Sequence, residues 1–358
     1  MDKEKLFKEK YATITIVFCL LIGFIPAAFV QNVELRMYTW AMFFVSCSGI
    51  FAYELYLNPK NKKILVMFVL TGILAAYTHY YAALTEGFIY LFLIINLIAK
   101  YKALKESLII INLTIAFYLP WLPIFVNQFI VVKDYWWLNV FNWNSIVNII
   151  RYPFNSMFTN TFLIITIVIL IGMVVYLFKN KKDKEIWFAL LCILSFALMV
   201  ATGCTVSLLL RPVFTSRYTY TAIGLLFLGM SITVTKIDNG RLLKNLLIGV
   251  IILNFPFSYN LNYIREYKTG TEEFKRFAKN IREDITITTE SNDIYHTLPY
   301  YLPNNELKWK YINGNTRGYV FSDETIEEMR ELIPNATVEK LFSGDINGTM
   351  RFNVYYME

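Results

Sequence analysis

The sequence predicts an all-α polytopic membrane protein of about nine transmembrane helices, with a small C-terminal α/β domain outside the membrane. Three observations predict it. Of 358 residues, 56% are hydrophobic and 17% charged, against roughly 25% charged in soluble domains, and mean hydropathy is +0.44. The apolar residues come in runs close to the ~20 residues that cross a bilayer as a helix. The final hundred or so residues have no long apolar run, yet hold 12 of the 34 basic side chains. Residues 1–259 therefore read as the transmembrane domain and 260–358 as a separate domain.

The apolar runs lie at roughly 12–30, 37–57, 64–78, 82–99, 107–126, 159–178, 186–209, 218–235 and 245–259. The first follows KEKLFKEK and leads to polar Gln31 and Asn32 without a small-x-small cleavage pattern, so it reads as a retained span. The second opens with ELRMY, and THYYA separates the third from the fourth. Pro120 and Pro123 bend the end of the fifth, and Pro212 stops the seventh. In the tail, 271–283 has helical periodicity, Ile285–Thr289 alternates like a strand, Asp323–Ile333 follows Ser322 as a candidate N-cap, and Arg351–Tyr356 suits a final strand.

The charges orient the spans. Lys3, Lys5, Lys8 and Lys10 precede the first. Alternate connections carry Lys60, Lys62 and Lys63; then Lys100, Lys102 and Lys105; then Lys179, Lys181, Lys182 and Lys184; then Lys236, Arg241 and Lys244. The opposite connections hold only Arg36, Lys133, Arg151, Arg211 and Arg217. The positive-inside rule then places the N-terminus in the cytoplasm and the tail outside a plasma membrane. The net charge of +7 is accounted for as a topology signal, and a nucleic-acid partner loses its support. Cys19, Cys47, Cys192 and Cys204 lie in apolar runs without CxxC spacing and suggest neither a disulfide framework nor a zinc site.

Four constellations fall at the outer face. Glu34 and Tyr38 are one helical turn apart around Arg36, and read either as interfacial anchors or as a substrate site. His79, Tyr80 and Tyr81 precede Glu86, and a continuous helix would put His79 and Glu86 on one face; one His and one Glu alone do not make a metal site. Arg211 and Arg217 flank a short turn before Tyr218, fit to hold either lipid phosphates or the phosphate of a lipid-linked substrate. The segment 127–158 carries Asp134, Trp136, Trp137, Trp143, Arg151 and Tyr152, an aromatic platform or an interfacial anchor. There is no Walker loop, no GxGxxG before a helix and no HExxH.

Taken in order, ELRMY, THYYA, YLPWLP and RPVFTSRY resemble the bacterial relatives of dolichyl-phosphate-mannose-protein mannosyltransferases, in the GT-C superfamily of membrane glycosyltransferases. The resemblance runs from about residue 12 to residue 235. It implies transfer of a hexosyl or pentosyl group from a polyprenyl-phosphate donor to a glycan, lipid or protein acceptor at the outer membrane face. It implies Arg211, Arg217 and Arg36 as the phosphate clamp, and Tyr38, His79, Tyr80, Tyr81 and Tyr218 as the sugar or acceptor pocket. It brings no resident cofactor and is compatible with a divalent metal.

The chain departs from that family in one respect. Family members carry an acidic catalytic motif in a large first outer loop, and KEKLFKEK looks like the cytoplasmic loop that would follow it. The expectation is a chain lacking that N-terminal region, with the missing helices encoded upstream or supplied by a partner chain, or with Glu34, Asp134 or Glu86 taking over as the base. The alternatives to an enzyme are a transporter or flippase for a lipid-linked saccharide, and a non-catalytic assembly subunit.

Overall fold

The structure, a computed structural model, describes residues 3–25, 36–134, 141–154, 158–237, 240–257, 269–280, 286–289, 300, 306–307, 338–346 and 350–357. The chain divides into two units, Met1–Phe255 and Pro256–Glu358.

The first unit is an all-α membrane bundle. Its helices are α1 (Lys3–Phe24), α2 (Tyr38–Leu57), α3 (Lys62–Thr78), α4 (Tyr80–Tyr101), α5 (Leu104–Tyr118), α6 (Leu122–Asp134), α7 (Trp143–Arg151), α8 (Thr159–Lys179), α9 (Lys184–Leu209), α10 (Ile223–Thr233) and α11 (Gly240–Phe257). Short 3₁₀ segments cover Leu119–Trp121, Tyr152–Phe154 and Ser216–Ala222. Among the described residues, five stretches are long and apolar enough to cross a membrane: α2, α4, Leu104–Gln128 through α5 and α6, α8 and α9.

Local chemistry fixes where the helices start and stop. The Asn61 side chain accepts from Ile64 N–H at the start of α3, and Asp183 accepts from the N–H groups of Glu185 and Ile186 at the start of α9, each satisfying donors that a helix leaves unpaired. Asn142 and Ser145 close a reciprocal capping box on α7. Helix α3 ends where His79 turns extended (φ −159°, ψ 137°), and the His79 side chain caps α4. Helix α4 ends on Lys102 in the left-handed region (φ 49°).

Helix α10 is buried at every position from Ile223 to Thr233, the pattern of a helix surrounded by others. It packs against α1, α2, α8 and α9. Between apolar helices in lipid, close van der Waals approach does much of the holding. A Cβ on Gly229 would sit 2.8 Å from the Ala189 carbonyl oxygen of α9, so glycine sets that helix spacing. By contrast Leu104–Gln128 is 6% buried and exposes Leu108, Ile115, Phe117 and Ile124, a surface suited to hydrocarbon.

The lysine-rich end of the bundle is tied by an ion-pair network. Lys236 Nζ lies 2.6 Å from Asp183 and 3.0 Å from Glu185. Tyr176 donates to Asp183 at 3.1 Å and Tyr11 donates to Glu185 at 3.4 Å. Burial alone would raise the Asp183 carboxyl, but Lys236 and the helix N–H groups outweigh it and hold the pKa below the usual range.

In the second unit, α12 (Thr269–Asn280) precedes a four-stranded sheet of β1 (Thr286–Thr289), β2 (Glu306–Leu307), β3 (Val338–Ile346) and β4 (Met350–Met357) in the order β2-β1-β4-β3. β1 and β2 are parallel; β4 runs antiparallel to both β1 and β3. Helix α12 packs against β3, with Phe274 fully buried. The helix expected at 323–333 lies outside the described residues.

Candidate functional site

At the end of the bundle opposite the lysine network, three sequence-distant segments meet. Tyr38 opens α2, His79 and Tyr81 stand at the α3–α4 break, and Tyr218 lies in the 3₁₀ segment leading to α10. Ring centroids are 5.4 Å apart for Tyr38–His79, 5.1 Å for His79–Tyr218 and 5.3 Å for the stacked Tyr81–Tyr218 pair. The Arg217 guanidinium lies 5.6 Å from the Tyr218 ring centroid, and Arg36 and Arg217 both act electrostatically on Tyr38.

The break at His79 makes this geometry. The extended residue His79 ends α3 and becomes the N-cap of α4, the helix that also carries Glu86. Tyr81 turns into the ring cluster. Tyr80 turns away, donating to Gln128 and packing on Phe125 at 5.2 Å. Glu86 sits one turn further into the bundle, 4% exposed, accepting from Ser48 at 2.6 Å. Its second oxygen, Oε1, accepts no hydrogen bond among the described residues.

The turn 211–215 is held down on α9. Ser207 Oγ accepts from the N–H groups of Val213 and Phe214 at 3.2 and 2.9 Å, and Tyr81 donates to the Val213 carbonyl at 2.9 Å. A Cβ on Gly203 would come within 2.6 Å of the Phe214 ring, so glycine lets that ring seat against α9, where it meets Tyr81 at 4.7 Å. Arg211 leaves α9 with its backbone N–H donating to Val206, and Arg217 follows at the start of the 3₁₀ segment.

Burial, reinforced by Arg217, pushes the His79 imidazole down to about 4, so it is neutral at pH 7. Its Nδ1 accepts from Tyr81 N–H at 3.1 Å. In a neutral ring that places the proton on Nε2. His79 thus offers a donor to a bound molecule, while the nearby arginines supply positive charge and the tyrosines supply aromatic faces and hydroxyls. That combination suits a polyol carrying a phosphate.

Among the sequence-derived acids, Glu34 lies outside the described residues, as do Trp136 and Trp137, and Asp134 ends α6 with its side chain outside the description. Glu86 is described and faces Ser48. Among the described residues no three His, Cys, Asp or Glu side chains group as metal ligands. Around the ring cluster, Arg151 Nη2 donates to Asn160 at 3.3 Å at the end of amphipathic α7, whose Trp143 is 71% exposed while Ile149 is buried, as in a helix lying at an interface. Tyr77, Tyr118 and Trp121 form a further aromatic group at this end, with Tyr77 5.9 and 5.3 Å from the other two rings.

Sequence reasoning missed Ser48, Ser207, Gly203 and Phe214. Ser207 and Gly203 share one face of α9 at i and i+4 just before the arginine turn, a spacing that marks a small-residue seat for an adjoining segment. No protein-family model, curated protein or solved structure matches the chain.

Proposed function

We propose that the chain is a membrane glycosyltransferase that takes a sugar from a polyprenyl-phosphate donor at the arginine- and tyrosine-bearing end of the bundle. One observation carries the reading: Tyr38, His79, Tyr81, Tyr218 and Arg217, drawn from three separate motifs, converge at one end. In this reading nine helices span the membrane, the N-terminus is cytoplasmic, and the α/β tail stands outside with the site.

The departing phosphate gathers negative charge as the glycosidic bond breaks, and Arg217 with Arg36 and Arg211 offsets it. The His79 Nε2–H and tyrosine hydroxyls orient the sugar. The acceptor hydroxyl needs a carboxylate base, for which the sequence offers Glu34 and Asp134. Glu86 is engaged with Ser48 inside the bundle.

Membranes bearing the chain, with any upstream coding region restored, are expected to move radiolabelled sugar from a polyprenyl phosphate to a recoverable product. Arg217→Ala is expected to reduce transfer by about 100-fold or more. Absence of transfer from the intact system sinks the enzymatic reading.

A specific feature favours a second reading. Arg217 and Arg36 act on Tyr38, and Arg217 on His79, and such cations would hold the phosphate of a lipid-linked saccharide whether or not transfer follows. Proteoliposomes that flip a labelled polyprenyl-phosphate sugar without transferring it would favour a flippase. Co-purification with a chain carrying an acidic loop would favour an assembly subunit.

A further inference from the structure

At the lysine-rich end, a cavity of about 640 Å³ opens between α2, α4 and α9. Lys100, Lys181, Lys182 and Lys184 rim it, and no aspartate or glutamate is among its lining residues. The two acids of the adjoining loop, Asp183 and Glu185, both pair with Lys236, although their charges are still felt at Tyr53 of the wall. Below the rim the walls are mostly apolar, and the side chains of Asn96 and Ser195 donate to carbonyls of their own helices. Tyr53 stacks on Phe188 at 4.5 Å, Trp187 is tethered by its indole N–H to the Lys181 carbonyl at 2.7 Å, and Leu93, Leu191 and Leu225 line the deeper part.

The dimensions discriminate between a water-soluble and a lipidic occupant. On α4 the lining runs from Ile89 to Lys100, and on α9 from Lys184 to Ser195. At 1.5 Å per residue each wall is about 16 Å deep, close to one leaflet of a ~30 Å hydrocarbon core. An apolar trough one leaflet deep, capped by cations at head-group level, matches a molecule with an acyl chain below and an anionic head above. Lys100 is pre-positioned at the rim, its Nζ donating to Tyr56 at 2.9 Å.

We propose that this groove is a binding site for an anionic phospholipid of the lysine-side leaflet, with its phosphate among Lys100, Lys181, Lys182 and Lys184 and one acyl chain between α2, α4 and α9. The site is at the opposite end from the ring cluster and does not depend on how that cluster is used.

The test titrates the purified full-length protein in neutral detergent with phosphatidylglycerol, phosphatidylcholine and inorganic phosphate, counting bound lipid by native mass spectrometry. Phosphatidylglycerol is expected to bind at least tenfold tighter than phosphatidylcholine, and millimolar phosphate is expected not to displace it. The variant Lys100→Gln/Lys181→Gln/Lys182→Gln is expected to lose that preference, at about fivefold per lysine, while keeping its affinity for phosphatidylcholine. Raising the salt is expected to erode the wild-type preference, a readout that needs no variant to fold. Equal binding of the two lipids, a preference that survives the triple substitution or high salt, or displacement by phosphate alone would each overturn the proposal.

Discussion

His79 carries two jobs with one ring: it caps α4 through Nδ1 and presents Nε2–H to the ring cluster. Its folded pKa of about 4 lies below the ordinary value near 6.5, so between those limits the unfolded chain binds the extra proton. Its contribution to stability is therefore full above about pH 6.5 and is lost as pH falls toward 4. Thermal unfolding in detergent is expected to show a lower midpoint at pH 5 than at pH 7.5, and His79→Asn, which keeps a capping acceptor, is expected to flatten that dependence. Ser48 and Glu86 form the other residue-scale feature. Removing the Ser48 hydroxyl leaves the buried carboxyl with neither oxygen hydrogen-bonded among the described residues, so Ser48→Ala is expected to cost about 1–3 kcal/mol. In a Glu86→Gln background the cost is expected to change, because the pair is coupled; an additive double-mutant cycle by chemical unfolding would refute it.

At the scale of elements, glycines separate contacts that can yield from contacts that cannot. A methyl on Gly203 meets the Phe214 ring, and one on Gly229 meets the backbone carbonyl of Ala189, whereas Gly249 has nothing within 4 Å of a new Cβ. Gly229→Ala is expected to destabilise the bundle by about 1–3 kcal/mol and Gly249→Ala to be neutral or slightly stabilising, as read from unfolding midpoints. Gly203→Ala is expected to displace Phe214 from Tyr81 and weaken whatever ligand the ring cluster holds more than it weakens the fold. Much of this scale was legible in the sequence. The apolar runs coincide with helices because a backbone in lipid has to pair its polar groups within its own segment. The boundary between the third and fourth apolar runs was legible, and α3 and α4 part there; that one extended residue, His79, makes the whole connection was not, since no proline or glycine marks it. Nor was the meeting of Tyr38 with Tyr218, which lie 180 positions apart and touch only through the packing of α2 against the segment before α10.

For the whole molecule, the two ends differ in chemistry: lysines and their paired acids at one, arginines and tyrosines at the other. If those ends face opposite compartments, single cysteines placed in a variant lacking Cys19, Cys47, Cys192 and Cys204 report it. Lys62→Cys and Trp143→Cys are expected to react with a membrane-impermeant maleimide from opposite sides of sealed vesicles; labelling from the same side contradicts the assigned orientation. The proposed orientation comes from where the lysines cluster, because charge bias acts on connections one at a time. The groove of the lysine end was not, because its walls come from three helices whose spacing only the packed bundle defines.

The complete enclosure of α10 sets the order of biogenesis. A segment that touches α1, α2, α8 and α9 and meets no lipid at any position leaves the translation machinery after all of them. Until it arrives, α2, α3, α4 and α9 can already pack on one another, but the place that α10 fills among α1, α2, α8 and α9 stands open. Late insertion of this one keystone then closes the bundle and, in the same step, delivers Arg217 and Tyr218 to Tyr38 and His79, so a ribosome stalled before it would leave a chain that is inserted yet has no site.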